Sequence, residues 1–180
     1  DCNSSWITFQ NGALKKKIFE LDKTEMEFTG RLGYKSWTEL GNSFLIENSV
    51  VSGCCQPNEY ILYNKNNGNK ISDLGTLVYL EKTGKQPFVI TFKRNDDLFF
   101  TDLRDNKSYV VKIPKDKIDK TMKNSDELYA ENLVGNVQMK NGLLSMELRY
   151  KVSKKGKWKK EIITFDVNKA ENNNRHSALQ

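Results

Sequence analysis

The stretch that most constrains the fold is residues 88–113, where three short runs of apolar and aromatic residues are separated by polar turns. The runs are FVITFK, LFFTDL and SYVVKI, and the turns between them are RNDD and RDN. Strands of about five or six residues joined by tight polar turns are typical of an antiparallel meander. The stretch therefore predicts three consecutive antiparallel strands.

Similar signals extend this pattern towards both ends of the chain. Asn11-Gly12 and Asn141-Gly142 are strong hairpin turns. Residues 143–153 alternate between apolar and polar with a period of two, which predicts a strand with one solvated face. Residues 13–28 favour strand as well, although their Leu, Lys and Glu content leaves a helix as the alternative. The fold class that we expect is all-β, an antiparallel meander of repeated hairpins.

One segment departs from the β pattern. Residues 115–133 contain few β-branched residues and many helix formers, and Ile118 and Met122 are spaced to form one apolar stripe. We therefore expect a short helical insertion within this segment. The whole of 1–167 is expected to form a single all-β domain, and residues 168–180 a polar C-terminal tail without periodicity.

A small unit, a strand followed by Asp or Asn, a polar turn and another strand, recurs at Asp22, Asn64, Asp102 and Asp166. The first two gaps are 42 and 38 positions, and the helical insertion accounts for the longer last gap. Periods near 40 residues are typical of β-propeller blades, so the repeat predicts a propeller-like arrangement of about four small blades. A β-sandwich or barrel is the alternative, because Asp and Asn favour turns in any meander.

The three cysteines are relevant to the cellular compartment in which the protein functions. In an oxidising environment, Cys2 could pair with Cys54 or Cys55, and the chain-entropy model gives such a bridge about 3–4 kcal/mol. Three reduced thiols in a cytosolic protein are the alternative. The chain begins at Asp1 rather than Met, as after removal of a signal peptide, and it lacks an apolar run of ~20 residues. We therefore expect a secreted or periplasmic protein without a transmembrane segment.

The residues that usually carry catalysis are sparse. The single histidine, in the polar tail, is a badly placed base for a nucleophilic triad, and one histidine excludes a multi-histidine metal site. Carboxylates cluster in the central meander, but they fall mostly in turns, where Asp supports the backbone. These observations predict a non-enzymatic protein without cofactor or metal. The residues concerned are His176 and the aspartates Asp96, Asp97, Asp102 and Asp105.

The most suggestive functional feature is a lysine-rich hairpin tip around Trp158. The net charge is +6, but Lys greatly outnumbers Arg, and Arg is the residue that reads phosphate and guanine bidentately, so we do not expect nucleic-acid binding. An aromatic residue among cations on a protruding turn could instead dock on an acidic protein surface. Residues 15–17 would enlarge this surface if they lay nearby. The residues of this basic tip are Lys154, Lys155, Lys157, Trp158 and Lys159.

The functional expectation is therefore a secreted or periplasmic binding protein, of the inhibitor or toxin-neutralising immunity type, that presents loops to an acidic protein partner. A carboxylate-dependent hydrolase acting on glycans is one alternative. An envelope-associated structural module is another.

Overall fold

The structure is a computed structural model of the chain. It describes residues 5–21, 23–24, 32–50, 58–93 and 97–170, without the side chains of 32–36 and 48–50. These residues form mostly antiparallel β-structure, as predicted, together with two short helices that both lie within the predicted helical insertion. The strands are β1 (Ser5–Asn11), β2 (Leu14–Leu21), β3 (Leu32–Glu39), β4 (Ser43–Val50), β5 (Glu59–Asn64), β6 (Lys70–Glu81), β7 (Phe88–Lys93), β8 (Asp97–Asp102), β9 (Lys107–Val111), β10 (Val134–Lys140), β11 (Leu143–Tyr150) and β12 (Lys159–Asp166). The α-helix α1 is Lys115–Asn124, and a 3-10 helix spans Ala130–Leu133.

Strands β3 to β9 form one seven-stranded sheet in which each strand pairs antiparallel with the next along the chain. The three strands predicted from residues 88–113 lie at one end of it, and their ladders run without a register shift. β6 is longer and irregular, with register shifts against both of its neighbours and Gly75 at a φ of 85°. Such bulges increase the local twist of a sheet.

The outer face of this sheet, which carries Ile61, Phe92 and Phe100, is covered by two separate units. The hairpin β1–β2 packs Phe9 on Phe44 at the β4–β5 end, with ring centroids 5.5 Å apart. The three-stranded sheet β10–β11–β12 packs over β7 to β9 and forms the largest core cluster. Phe165 of β12 lies 5.9 Å from Phe100 between ring centroids. Alternation along the strands thus directs Phe44 and Phe100 towards these covers.

The sheet curves so that the side chains of its inner face pack against one another. Leu45, Leu62, Leu74 and Val89, from four consecutive strands, form one buried cluster with Leu103, which follows β8. A hydrogen bond of 3.1 Å between the side chains of Ser43 and Asn106 joins the start of β4 to the β8–β9 turn. The sheet is therefore strongly curled, but in the described ladders β3 pairs only with β4 and β9 only with β8, so the curl does not form a closed barrel.

The helical insertion predicted within 115–133 is confirmed. α1 buries Ile118 and Thr121 against the three-stranded sheet. The Thr121 hydroxyl donates to the Lys117 carbonyl at 2.6 Å and accepts the backbone N–H of Lys151 at 2.9 Å. An ion pair between Lys117 and Glu161 adds a contact to β12. The insertion is thus anchored to β11 and β12 rather than extending from the domain.

The ambiguity over residues 13–28 is resolved where the structure describes them. β2 runs from Leu14 to Leu21, and Asn11 of β1 pairs with Leu14, so the turn residues are Gly12 and Ala13, one position later than the predicted Asn11-Gly12 turn. Gly12 has a φ of 57°, a left-handed conformation that glycine adopts readily at the first position of a two-residue hairpin turn. The strand prediction is therefore correct for β2, and residues 25–31 lie outside the described part of the chain.

The propeller-like arrangement is not confirmed, because the described strands form sheets of seven, three and two rather than repeated four-stranded units. The recurring Asp and Asn have a local explanation. Asn64 accepts the N–H of Asn66 at 2.8 Å, Asp102 that of Arg104 at 2.8 Å, and Asp166 that of Lys169 at 3.0 Å. Each side chain satisfies a backbone donor just after a strand ends. The repeat therefore reflects turn chemistry, and Asp22 lies outside the described residues.

The start of the predicted tail, residues 168–170, belongs to a helical turn that packs against the core. Residues 167–170 form a helical turn, Val167 is fully buried, and Ala170 packs against the main core cluster. The rest of the predicted tail, 171–180, lies outside the described residues.

Candidate functional site

The basic tip lies in the connection between β11 and β12. β11 ends at Tyr150 and β12 begins at Lys159, so eight residues, 151–158, form the loop between them. The loop is tightened at Gly156, whose N–H donates to the Ser153 carbonyl at 2.9 Å. A Cβ at Gly156 would fall 2.7 Å from the Ser153 hydroxyl oxygen. The close approach of these two residues shapes the loop that presents the lysines.

The four lysines of the basic tip are all exposed. Lys154, Lys155, Lys157 and Lys159 form no ion pair with any residue that the structure describes. The segment 151–160 itself contains no acidic residue. Lys160, next to the tip, is different, since its ammonium lies 3.0 Å from the Glu147 carboxylate. The tip therefore concentrates four positive charges within six residues.

Trp158 lies beside Arg149, a residue that no sequence pattern marked as functional. The guanidinium carbon of Arg149 lies 5.3 Å from the centroid of the Trp158 ring, within cation–π distance. Glu127 pairs with the same guanidinium, with its carboxylate oxygen 3.5 Å from a terminal nitrogen of Arg149. Trp158 nevertheless remains 43% exposed. The indole is thus supported from one side and accessible to solvent over much of its surface.

The second lysine run does not join this surface. Residues 15–17 lie on β2, in the hairpin that packs at the β4–β5 end of the large sheet, whereas the three-stranded sheet packs at the β7–β9 end. Lys16 donates to the Asn69 side chain at 2.5 Å. Lys17 pairs with Glu20 at 2.9 Å and lies 4.3 Å from the Trp6 ring centroid. These lysines form a separate cationic strip with contacts of its own.

The carboxylates of the central meander are engaged in separate structural contacts. Asp97 lies 2.5 Å from Lys115, and Asp105 lies 2.8 Å from Lys107. Asp102 is 1% exposed and accepts hydrogen bonds from Arg104 and from Gln86. Burial acts to raise the pKa of Asp102, but these hydrogen bonds outweigh it and lower the pKa below its usual value. None of these three carboxylates lines either of the two clefts described below, and Asp96 lies outside the described residues.

The other candidates fall outside the described residues. Cys2, Cys54, Cys55 and His176 are among them, so the disulfide stays a prediction. In the described ranges, no group of three or more His, Cys, Asp or Glu side chains is arranged to hold a metal ion.

Two clefts on the outer face were not visible in the sequence. One, of about 1420 Å³, lies between β2 and the helical insertion, with Phe19 and Met122 on opposite walls. Its rim carries both signs of charge, including Lys70 paired with Asp73 at 2.9 Å. The other, of about 730 Å³, lies between β1 and β3 and is lined by Trp37 and other apolar residues. Both clefts are lined by residues that are far apart in the sequence, so no local sequence pattern predicts them.

Comparison with known proteins adds no assignment to this geometry. The chain matches no protein-family model, no curated protein and no solved structure. Among the helices that the structure describes, none is both long and apolar enough to cross a lipid bilayer.

Proposed function

We propose that this chain is a non-enzymatic binding protein that recognises an acidic surface of another protein through the basic tip. The observation that carries the proposal is the concentration of four exposed lysines, without an ion pair to any described residue, around one half-exposed tryptophan. Such charges raise encounter rates with an oppositely charged surface by about 10–10³-fold at low salt.

The biological setting is part of the proposal. A role as an inhibitor or toxin-neutralising protein would use a rigid β-scaffold to present one loop, and such loops commonly carry function. Location in the periplasm or outside the cell would suit a disulfide from Cys2 to Cys54 or Cys55. Mass spectrometry of the unreduced protein would detect that bridge.

Binding to a fluorescein-labelled deca-glutamate peptide, followed by fluorescence anisotropy at several salt concentrations, tests the charge requirement. The test variant carries Lys154→Ala, Lys155→Ala, Lys157→Ala and Lys159→Ala. We expect at least a tenfold weaker affinity at low salt and a smaller loss of affinity with added salt, because fewer charges steer the encounter.

The matched control removes the same charge elsewhere, at Lys15, Lys82, Lys112 and Lys140, which are exposed and lie in different parts of the fold. This control variant should bind within about twofold of the unmodified chain if the tip is the site. Equal weakening of both variants would show that only net charge matters and would overturn the proposal. Tighter tip-dependent binding of a DNA duplex than of the peptide would reassign the surface to nucleic acid.

A further inference from the structure

The surface beside the basic tip is not only cationic. Trp158, the last residue of the loop, is 43% exposed, and Ile162, on the outward face of β12, is 61% exposed. Residues at 158, 160 and 162 alternate onto the same side of an extended chain, about 13 Å from first to last. Lys160 lies between the two apolar side chains, and Glu147 compensates its charge at 3.0 Å. The strip therefore offers two apolar contacts flanked at one end by the lysines of the basic tip.

The contacts behind Trp158 hold the indole in place without covering it. Glu127 and Arg149 form an ion pair, and the Arg149 guanidinium lies against the Trp158 ring. Because Trp and Arg on a partly desolvated surface are the residues that most often dominate binding energy, this arrangement has the character of an anchor. The lysines around it form a rim, which mainly controls the rate of encounter.

We infer that the partner's recognition element is an acidic segment that carries an apolar side chain, which packs on Trp158 while its carboxylates face the lysines. Arg149 is a positioning residue that orients the indole. The inference rests on the proposed function, and it adds that charge alone is insufficient for recognition. Charge complementarity selects the acidic flanks, and the exposed indole selects the apolar residue between them.

Two labelled peptides of equal charge test this inference. Each carries four glutamates on either side of a central residue, which is Leu in one and Ser in the other. We expect the unmodified chain to bind the Leu peptide about tenfold more tightly, as burial of one apolar side chain at a partly exposed contact allows. The Trp158→Ala variant should lose this preference and still bind the Ser peptide. The lysine variant should weaken both peptides and keep the preference.

Trp6→Ala is the matched control, because Trp6 is 50% exposed and also lies beside a cation, Lys17, on the separate hairpin. It should leave the preference unchanged. A preference that persists in Trp158→Ala, or its absence in the unmodified chain, would overturn the inference and leave the proposed function standing. Failure of both peptides to bind would instead remove the proposed function. Circular dichroism and urea unfolding establish that each variant is folded.

The role of Arg149 has its own readout. In a Trp6→Phe, Trp37→Phe background, Trp158 is the remaining tryptophan and its fluorescence reports on its surroundings. Arg149→Ala should increase quenching of that fluorescence by acrylamide and reduce the Leu preference, whereas Arg149→Lys should retain part of both. Unchanged quenching in Arg149→Ala would refute the positioning role.

Discussion

The buried threonines offer a direct test of how polar groups are accommodated in this fold. Thr91 on β7 and Thr101 on β8 are both fully buried on the inner face of the seven-stranded sheet. The Thr101 hydroxyl lies 2.8 Å from the Ser108 hydroxyl, whereas the Thr91 hydroxyl has no hydrogen-bond partner among the described residues. Threonine to valine replaces the hydroxyl by a methyl group of similar size, so the same change should have opposite effects.

We expect Thr91→Val to stabilise the protein by about 1 kcal/mol, because a buried hydroxyl without a partner costs roughly 1–3 kcal/mol of desolvation. Thr101→Val should destabilise it by about 1 kcal/mol through loss of one hydrogen bond, since the exposed Ser108 hydroxyl can turn to water. Thr121→Val should cost about 2 kcal/mol, because the Thr121 hydroxyl makes two backbone hydrogen bonds. Valine and threonine have similar strand and helix propensities, so these terms add little.

Urea unfolding followed by circular dichroism measures these differences. With a slope of about 2 kcal/mol per molar urea, the midpoint should rise by about 0.5 M for Thr91→Val and fall by about 0.5 M for Thr101→Val. The corresponding melting temperatures should shift by about 2–4 °C in each direction. A Thr91→Val variant as destabilised as Thr101→Val would refute the reasoning, because it would mean that the Thr91 hydroxyl is bonded, for example to a buried water.

Two further stability predictions follow from backbone and charge. Gly75→Ala should destabilise the protein by about 3 kcal/mol or more, because Gly75 has a φ of 85° and a Cβ there would fall 2.0 Å from a β7 carbonyl oxygen. Gly41→Ala should be nearly neutral in the same urea assay, because a Cβ at Gly41 would have no atom within 4 Å. Burial acts to raise the pKa of Asp102, but hydrogen bonds, chiefly from Arg104, outweigh burial and lower it. The ionised Asp102 therefore stabilises the folded protein above the unfolded-state pKa of about 4, and this stabilisation is lost as the pH falls below that value. Asp102→Asn should therefore flatten the fall in unfolding free energy between pH 5 and pH 2, and an unchanged slope would contradict that assignment.

Particular elements show which features of the fold can be predicted from the sequence. The strands of residues 88–113 were predicted within a residue or two, because short turns keep their contacts local. The unit repeated at Asn64, Asp102 and Asp166 suggested blades, although each of these side chains satisfies only its own turn. Local turn chemistry recurs in any meander and carries no information on how many strands one sheet contains. Arg149 escaped notice because its contact with Trp158 depends on the pairing of β11 with β12 across an eight-residue loop.

The sequence by itself determined the antiparallel β-character, the short helical insertion and the cationic loop around Trp158, since periodicity, turn residues and charge are all local properties. Only the tertiary structure decided that seven strands curl into one sheet, that a hairpin and a three-stranded sheet cover the two ends of its outer face, and that Arg149 and Glu127 support the tryptophan. The physical reason is that these features depend on which apolar faces meet. Many pairs of apolar faces are compatible with the same alternation of residues along the strands, and only packing in three dimensions selects among them.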